Sequence, residues 1–375
     1  MENAYSKNVY TNGKYNFIKD KKRVRFFSFT YFADCYDSDG DGKSTLEDNL
    51  KEIETIVKEG YVTSMHINPA NTEQGIYKFT KIIEICKKYG VNYWMISNIY
   101  KSDKGESLDE TLERIDETIN LIKSVPDAWD LFLGFYYDEP FLHRTKNKDF
   151  RAQTEALYKK YHKRIYPVFS TNTLNDKVIE HLGLTGIVET PTTEALKYVT
   201  DIGGNNYAYD TRDSALDNQM QNERFAELSE AYGVEIKTAD DYYRYVTDQI
   251  IKKVDHPVNV WYYPCAYNAE PYTYEECDED YCVQQTKYFV DLLDETTEKY
   301  EHQRAGGMCF FTYHSRIFTG LAKRLPITID GNPLCRKEGF EDKWYEMDKT
   351  LKELVNKYNN EPDNELYVGF SEDAE

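Results

Sequence analysis

Asp138 and Glu139 are adjacent carboxylates at the end of an apolar, aromatic run, LFLGFYY (131–137), and Pro140 follows them. A carboxyl rising from such a run is desolvated, and a second carboxylate beside it adds like charge. Both effects raise a carboxyl pKa and equip it for general acid–base work near neutral pH. Consecutive strand residues point to opposite faces, so Asp138 and Glu139 are expected to do different jobs rather than act as a catalytic pair. Pro140 stops the ladder and fixes the turn. The bland alternative is an ordinary strand-to-loop stop, and the choice depends on where this strand lies.

Short apolar or aromatic runs alternate with amphipathic segments along the chain. The runs cover 24–32, 61–69, 92–100, 131–137, 164–171, 258–267 and 306–315, with an ambiguous sixth at 183–190 or 205–210. Most are near-continuous rather than alternating, as expected of parallel strands covered on both faces. Segments 45–59, 73–88, 107–124, 149–164 and 281–302 carry apolar residues at helical spacing, and Gly90 is placed to cap the second of them. Eight strands, each followed by helix, predict an α/β fold: a single-domain (β/α)8 TIM barrel over 23–359. Residues 1–22 form an N-terminal extension, and the acidic tail 360–375 is expected to be loosely held. No G-x-G-x-x-G or phosphate loop follows any run, which argues against a nucleotide-binding open sheet.

A barrel gathers its chemistry at the C-terminal ends of its strands. Those ends supply Asp34, His66, Asn68, Asn98, Tyr137 with Asp138 and Glu139, Asn172, Tyr209, Asp210, Tyr263, Tyr313, His314 and Arg316. The strand interiors are expected to stay apolar. Tyrosine is abundant at 34 residues, either from biased composition or because tyrosines line a groove that stacks on sugars.

The segment GFYYDEP (134–140) resembles the fourth-strand signature of (β/α)8 glycoside hydrolases, in which Asn-Glu-Pro or Asp-Glu-Pro ends the strand. The resemblance is architectural over 24–355 and motif-level only at 134–140. It implies a glycoside hydrolase acting on an oligo- or polysaccharide. Glu139 would protonate the glycosidic oxygen, and Asp138 would occupy the place of a sugar-binding asparagine. Such cleavage needs one protonated carboxyl and a second one ionised across the bond. The chain departs from the pattern at its seventh run, where retaining relatives carry a nucleophilic glutamate. VWYYPCAYNAEP presents Tyr263 and Pro264 there, and the first carboxylate is Glu270 in the following loop. Asp34 or Asp210, across the mouth, are the alternatives as base for an inverting reaction. The departure leaves a second reading, a sugar-binding barrel without hydrolysis. A third, a metal-dependent barrel using His66, Asp34, Glu139 and His314, is disfavoured because these histidines are singletons.

DSDGDGKSTLED (37–48) matches much of a calcium-loop pattern. Asp37, Asp39 and Asp41 stand at positions one, three and five, Gly42 at six, Lys43 at seven, where the backbone carbonyl coordinates, and Asp48 at twelve. With Asp at twelve it resembles the loops of cellulosomal dockerin modules, although Ser44 replaces the usual hydrophobic residue and no helix precedes it. Structural Ca2+ near the barrel mouth is the expectation. The competing reading is a capping box between Ser44 and Glu47.

The chain has 375 residues, 40% hydrophobic and 30% charged, which is ample for a large core. A net charge of −20 argues against nucleic acid or an anionic membrane as partner, while the resemblance implies a carbohydrate substrate. No run approaches the roughly 18 apolar residues of a membrane span, and the N-terminus lacks an apolar signal core. The expectation is a secreted or cell-surface mature form, or alternatively a cytoplasmic protein. The seven cysteines include no CxxC pair, so zinc is not expected, and neither is an organic cofactor. Cys86 and Cys309 read as small buried hydrophobes, and Cys277 with Cys282 leaves a disulfide possible.

Overall fold

The computed structural model describes residues 9–20, 26–29, 45–60, 62–97, 106–141, 149–170, 173, 176–181, 183–205, 218–264, 279–310, 328–329, 332–333, 349, 352–353, 356 and 364–371. Helices start where a side chain can satisfy the orphan backbone donors. Thr45, Ser107 and Thr238 form capping boxes ahead of helices Leu46–Glu59, Leu108–Ser124 and Ala239–Ile251. Helix Glu73–Tyr89 ends on Gly90 at φ 70°, the left-handed cap expected there.

Eight parallel strands form one sheet. They are β3 (Phe26–Phe29), β4 (Ser64–Ile67), β5 (Asn92–Ile96), β6 (Phe132–Asp138), β7 (Arg164–Ser170), β8 (Asp201–Asn205), β9 (Val258–Tyr263) and β10 (Gln303–Phe310). Each pairs with its neighbour in chain order from β4 to β10, and β10 pairs with β3. Strand β3 also lies beside β4, so the array curls into a (β/α)8 barrel. Helices follow every strand from β3 to β9, including Phe150–Tyr161, Asp176–His181, Asn218–Tyr232 and Glu279–Lys299. Among the described residues no helix is long and apolar enough to cross a membrane.

The sixth barrel strand differs from both expected segments. It is DIGGN, of which only Asn205 belongs to 205–210; the rest of that segment lies outside the described residues. Residues 183–190 form turns, with Val188 buried and Ile187 exposed. Two glycines leave the strand without an apolar run, and at Gly203 neighbouring rings take the side-chain space. A Cβ on Gly203 would lie 2.9 Å from Tyr263 Cε2 and 3.0 Å from the Tyr166 hydroxyl.

The tail is also corrected. Strands β1 (Val9–Asn12) and β2 (Tyr15–Asp20) form a hairpin through Gly13, at φ 62°, and Lys14. Strand β13 (Asn364–Phe370) pairs antiparallel with β2, making a three-stranded sheet of order β1-β2-β13. Leu366 and Tyr367 are fully buried, so this part of the acidic tail is held by its apolar face. A two-stranded piece, β11 (Thr328–Ile329) with β12 (Asn332–Pro333), completes the described strands.

The core divides by strand alternation. Tyr93, Met95, Phe135, Tyr137, Ile165, Phe169 and Tyr262 face the helices. Trp94, Leu133, Tyr136, Tyr166, Val168, Trp261, Tyr263 and Cys309 fill the barrel, joined by Leu366 of β13. The barrel interior is thus filled mostly by aromatic rings, several of which carry a hydroxyl or ring N–H. Its floor is polar as well. Arg164, Asp201 and Asn259 lie at the N-terminal ends of β7, β8 and β9, and Asn259 pairs with the backbone of Tyr367 through Nδ2 (2.8 Å) and Oδ1 (2.9 Å). Cys86 and Cys309 are buried, as read from the sequence.

Candidate active site

Strand β6 is the fourth strand of the barrel and ends in Asp138 at the C-terminal mouth. Inward positions along it include Tyr136 and, two residues on, Asp138. Asp138 is exposed, and the Tyr136 hydroxyl donates to its Oδ1 at 3.4 Å. Glu139 has φ 44°, in the left-handed region that a non-glycine residue rarely occupies, and it precedes a proline. This turn ends the strand at Asp138, so strict alternation does not continue to Glu139. The residue is half-buried, and Pro140 and Phe141 behind it are buried. Phe141 packs on Phe150 and Phe169, with ring centroids 5.0 and 5.7 Å apart, which anchors the turn from below. A non-glycine backbone held this way costs on the order of 1–3 kcal/mol and persists where surrounding packing imposes it, often at functional sites.

Beneath Asp138 lies a set of buried polar rings. His66, on β4, is 3% exposed, and its imidazole stacks on Tyr136 at 4.1 Å with an interplanar angle of 28°. Burial alone pushes its pKa down to about 3, so the ring is neutral at ordinary pH. His66 Nε2, Ser64 Oγ and Trp94 Nε1 are buried without a hydrogen-bond partner among the described residues. The Tyr166 hydroxyl donates to that of Tyr263 at 2.9 Å. Burial raises the pKa of Tyr136, Tyr166 and Tyr263 well above the phenol range, keeping all three hydroxyls protonated.

The structure sorts the expected site residues into three groups. Asp138, Glu139 and Asn68 stand at the mouth, Asn68 exposed just beyond β4. His66 and Tyr263 are inside the barrel, below the mouth rather than on its rim. Tyr137 is a correction to the sequence reading: it faces the helices, edge-on to Phe150 at 5.2 Å, and has no path to a substrate in the mouth. Glu270, Asp34, Asn98, Asn172, Tyr209, Asp210, Tyr313, His314 and Arg316 lie outside the described residues, as do Asp37, Asp39, Asp41 and Lys43.

Two further residues, one inside the barrel and one behind the turn at Glu139, are not announced by the sequence pattern. Tyr166 sits in RIYPVFST, where Pro167 and the apolar neighbours drew attention to the strand rather than to its inward hydroxyl. Glu189, half-buried, has its backbone N–H 3.4 Å from the Phe141 carbonyl, which brings a third carboxylate-bearing residue to the turn behind Glu139. Nothing in the pattern of 183–190 announces that proximity.

Asp48, the twelfth position of the expected calcium loop, is engaged locally. Its Oδ2 accepts from Thr45 N at 2.9 Å and Thr45 Oγ1 at 2.7 Å, which lowers its pKa. The capping box is Thr45–Asp48 rather than Ser44–Glu47, while Glu47 accepts from the Tyr77 hydroxyl at 3.0 Å.

No protein-family model and no curated protein matches the chain. Solved structures to which it is similar include a glycoside hydrolase family 5 mannosidase from Rhizomucor miehei, at 8% identity over 95% of this chain and 98% of that one, with a TM-score of 0.45. A GH5_18 protein from Streptomyces cattleya, in complex with Manb1-4GlcNAc, matches at 9% identity over 77% and 71%, with a TM-score of 0.49. A malate synthase from Haloferax volcanii matches at 8% identity over 78% and 70%, with a TM-score of 0.36. At such scores the likenesses assign neither substrate nor catalytic residue to this chain.

Proposed function

We propose that this barrel hydrolyses glycosidic bonds in an oligo- or polysaccharide, with Glu139 as general acid/base. The observation that carries the reading is the end of β6. Asp138 faces inward at the mouth, and Glu139 is held half-buried in a left-handed turn immediately after it. A half-buried carboxyl next to another carboxylate resists ionisation, the state from which it can protonate a leaving oxygen. Asp138, exposed and hydrogen-bonded by Tyr136, is suited to accept a hydrogen bond from the sugar. Tyr136 and His66 close the space below it with neutral rings. Glu270, Asp34 and Asp210 are the candidates for the second carboxylate.

Replacing Glu139 with Gln keeps the shape and removes the proton. Turnover on a panel of aryl glycosides and polysaccharides should fall about 10²–10⁴-fold, the range of lost acid–base help. Full activity in Glu139→Gln would overturn the assignment. Sugar binding by both proteins with hydrolysis by neither would favour the binding-barrel reading instead.

A further inference from the structure

Around Phe150, whose ring helps anchor the turn at Glu139, four buried polar side chains have no hydrogen-bond partner among the described residues. They are Ser97 at Oγ, Tyr137 at Oη, Thr111 at Oγ1 and Gln153 at both Oε1 and Nε2. None is more than 3% exposed.

The strands and helices bring these groups into one layer. Ile96 of β5 is in register with Tyr136 of β6, and Ser97 N donates to the Tyr136 carbonyl at 2.8 Å, so Ser97 and Tyr137 come next, side by side. Tyr93 and Met95 on β5 face the helices, as Phe135 does on β6, and alternation gives Ser97 and Tyr137 that same face. Burial raises the Tyr137 pKa and the nearby Ser97 hydroxyl offsets part of the rise, yet the two oxygens lack the geometry of a hydrogen bond. The helices on this face are Leu108–Ser124, before β6, and Phe150–Tyr161, after it. Asp116 of the first accepts from Lys160 and Tyr161 of the second, so the two pack side by side. Thr111 heads the buried stripe of the first helix, and Gln153 lies in that of the second, between Phe150 and Leu157. Phe150, one turn from Gln153, meets the Tyr137 ring edge-on at 5.2 Å.

Packing alone does not account for these side chains. Thr154 and Thr247 return their hydroxyls to the carbonyl one turn back, at 2.9 and 2.8 Å, a common outlet for a threonine inside a helix. Thr111 does not, although the Ser107 carbonyl is at hand and accepts its N–H at 3.1 Å. Methionine would fill the place of Gln153 without burying an amide, and an amide stripped of its partners is costly to hold in a core. Gln153 needs a donor at Oε1 and an acceptor at Nε2, while the three hydroxyls can give or take. Water supplies both roles, and an internal water typically makes about three hydrogen bonds to such groups.

We propose that this layer, between the end of β6 and the two helices, is a binding site for ordered water that Gln153 and Thr111 share with Ser97 and Tyr137. The bound water ties the starts of both helices to the strand that carries Asp138. The site does not depend on what the mouth hydrolyses.

A crystal structure of the parent protein, at a resolution that shows ordered solvent, should have water within hydrogen-bond distance of the Gln153 amide and of at least one of the three hydroxyls. A protein side chain in place of that water, or an amide with no polar neighbour, overturns the proposal. In solution, Gln153→Met and Thr111→Val should each lower the melting temperature. The double variant should lose less than the sum, because either change releases the same water. A Gln153→Met protein that melts above the parent, as removal of an unpaired amide predicts, overturns the proposal, and so do strictly additive losses. If Gln153→Met does not fold by circular dichroism, Thr111→Val with Ser97→Ala completes the cycle in its place.

Discussion

The imidazole of His66 shows how far burial can override a residue's usual chemistry. Its folded-state pKa of about 3 lies below the 6.5 of a free histidine, with desolvation as the cause. Between those values the unfolded chain binds the extra proton and the folded chain does not. The stability contributed by the neutral ring is therefore complete above pH 6.5 and lost as pH falls, by up to about 1.4 kcal/mol per pH unit. His256, also buried, is shifted in the same direction. Urea denaturation from pH 7 to pH 4 should show declining stability, with a shallower decline in His66→Gln. Equal slopes for the two proteins would contradict the assigned burial. Alternation sets Asp138 inward and Tyr137 outward, so it counts against the expectation that Tyr137 joins Asp138 in the site. Depth is not legible. Nothing local in MHIN or WYYP tells that His66 and Tyr263 lie under other rings, because their cover comes from strands distant in sequence.

At the scale of elements, local chemistry carries the sequence reading furthest. Helix Leu46–Glu59 begins where a Thr-x-x-Asp box can form, and β6 ends where Asp138 meets a left-handed turn and proline. Strand β8 was hidden because its identity lies in what its glycines admit rather than in side chains of its own. The box at Thr45 also bears on the expected calcium loop. A carboxylate that already accepts from Thr45 N and Oγ1 must give up or share those bonds to serve as the twelfth ligand. We propose that residues 37–48 still hold Ca2+ through Asp37, Asp39 and Asp41, with Asp48 dividing its oxygens between cap and ion. Calcium should then raise the melting temperature of the parent but not of an Asp39→Ala, Asp41→Ala protein. Asp48→Ala should lower the melting temperature even without calcium, because it removes the N3 half of the capping box. A parent indifferent to calcium that still loses stability in Asp48→Ala would leave the capping box alone.

On the scale of the whole molecule, the barrel separates what holds it together from what acts. Its floor contains a buried ion pair: Arg164 Nε donates to Asp201 Oδ2 at 2.9 Å, and a second guanidinium nitrogen meets Oδ1. Trp261 Nε1 and Asn259 Nδ2 also donate to Asp201 Oδ1, at 2.9 and 3.1 Å, and the Thr200 hydroxyl donates to Oδ2 at 2.8 Å. Asn259 passes the network on to the backbone of Tyr367, so the C-terminal strand closes the floor through the same carboxylate cluster. Asp201 and Arg164 have side chains 0% and 6% exposed, so removing one charge strands the other away from water. Asp201→Asn should therefore cost about 3–5 kcal/mol. Adding Arg164→Met to it should restore part of that loss, because the second change removes the stranded charge. The partial recovery separates this account from one in which Asp201 matters only as a hydrogen-bond hub, where the second change would add a further loss. Both variants, assayed below their melting temperatures, should keep kcat within about threefold of the parent, since the floor lies at the opposite strand ends from Asp138 and Glu139. A large fall in kcat with stability intact would mean that the floor reaches the mouth through Trp261 and Tyr166, whose rings stack at 4.9 Å.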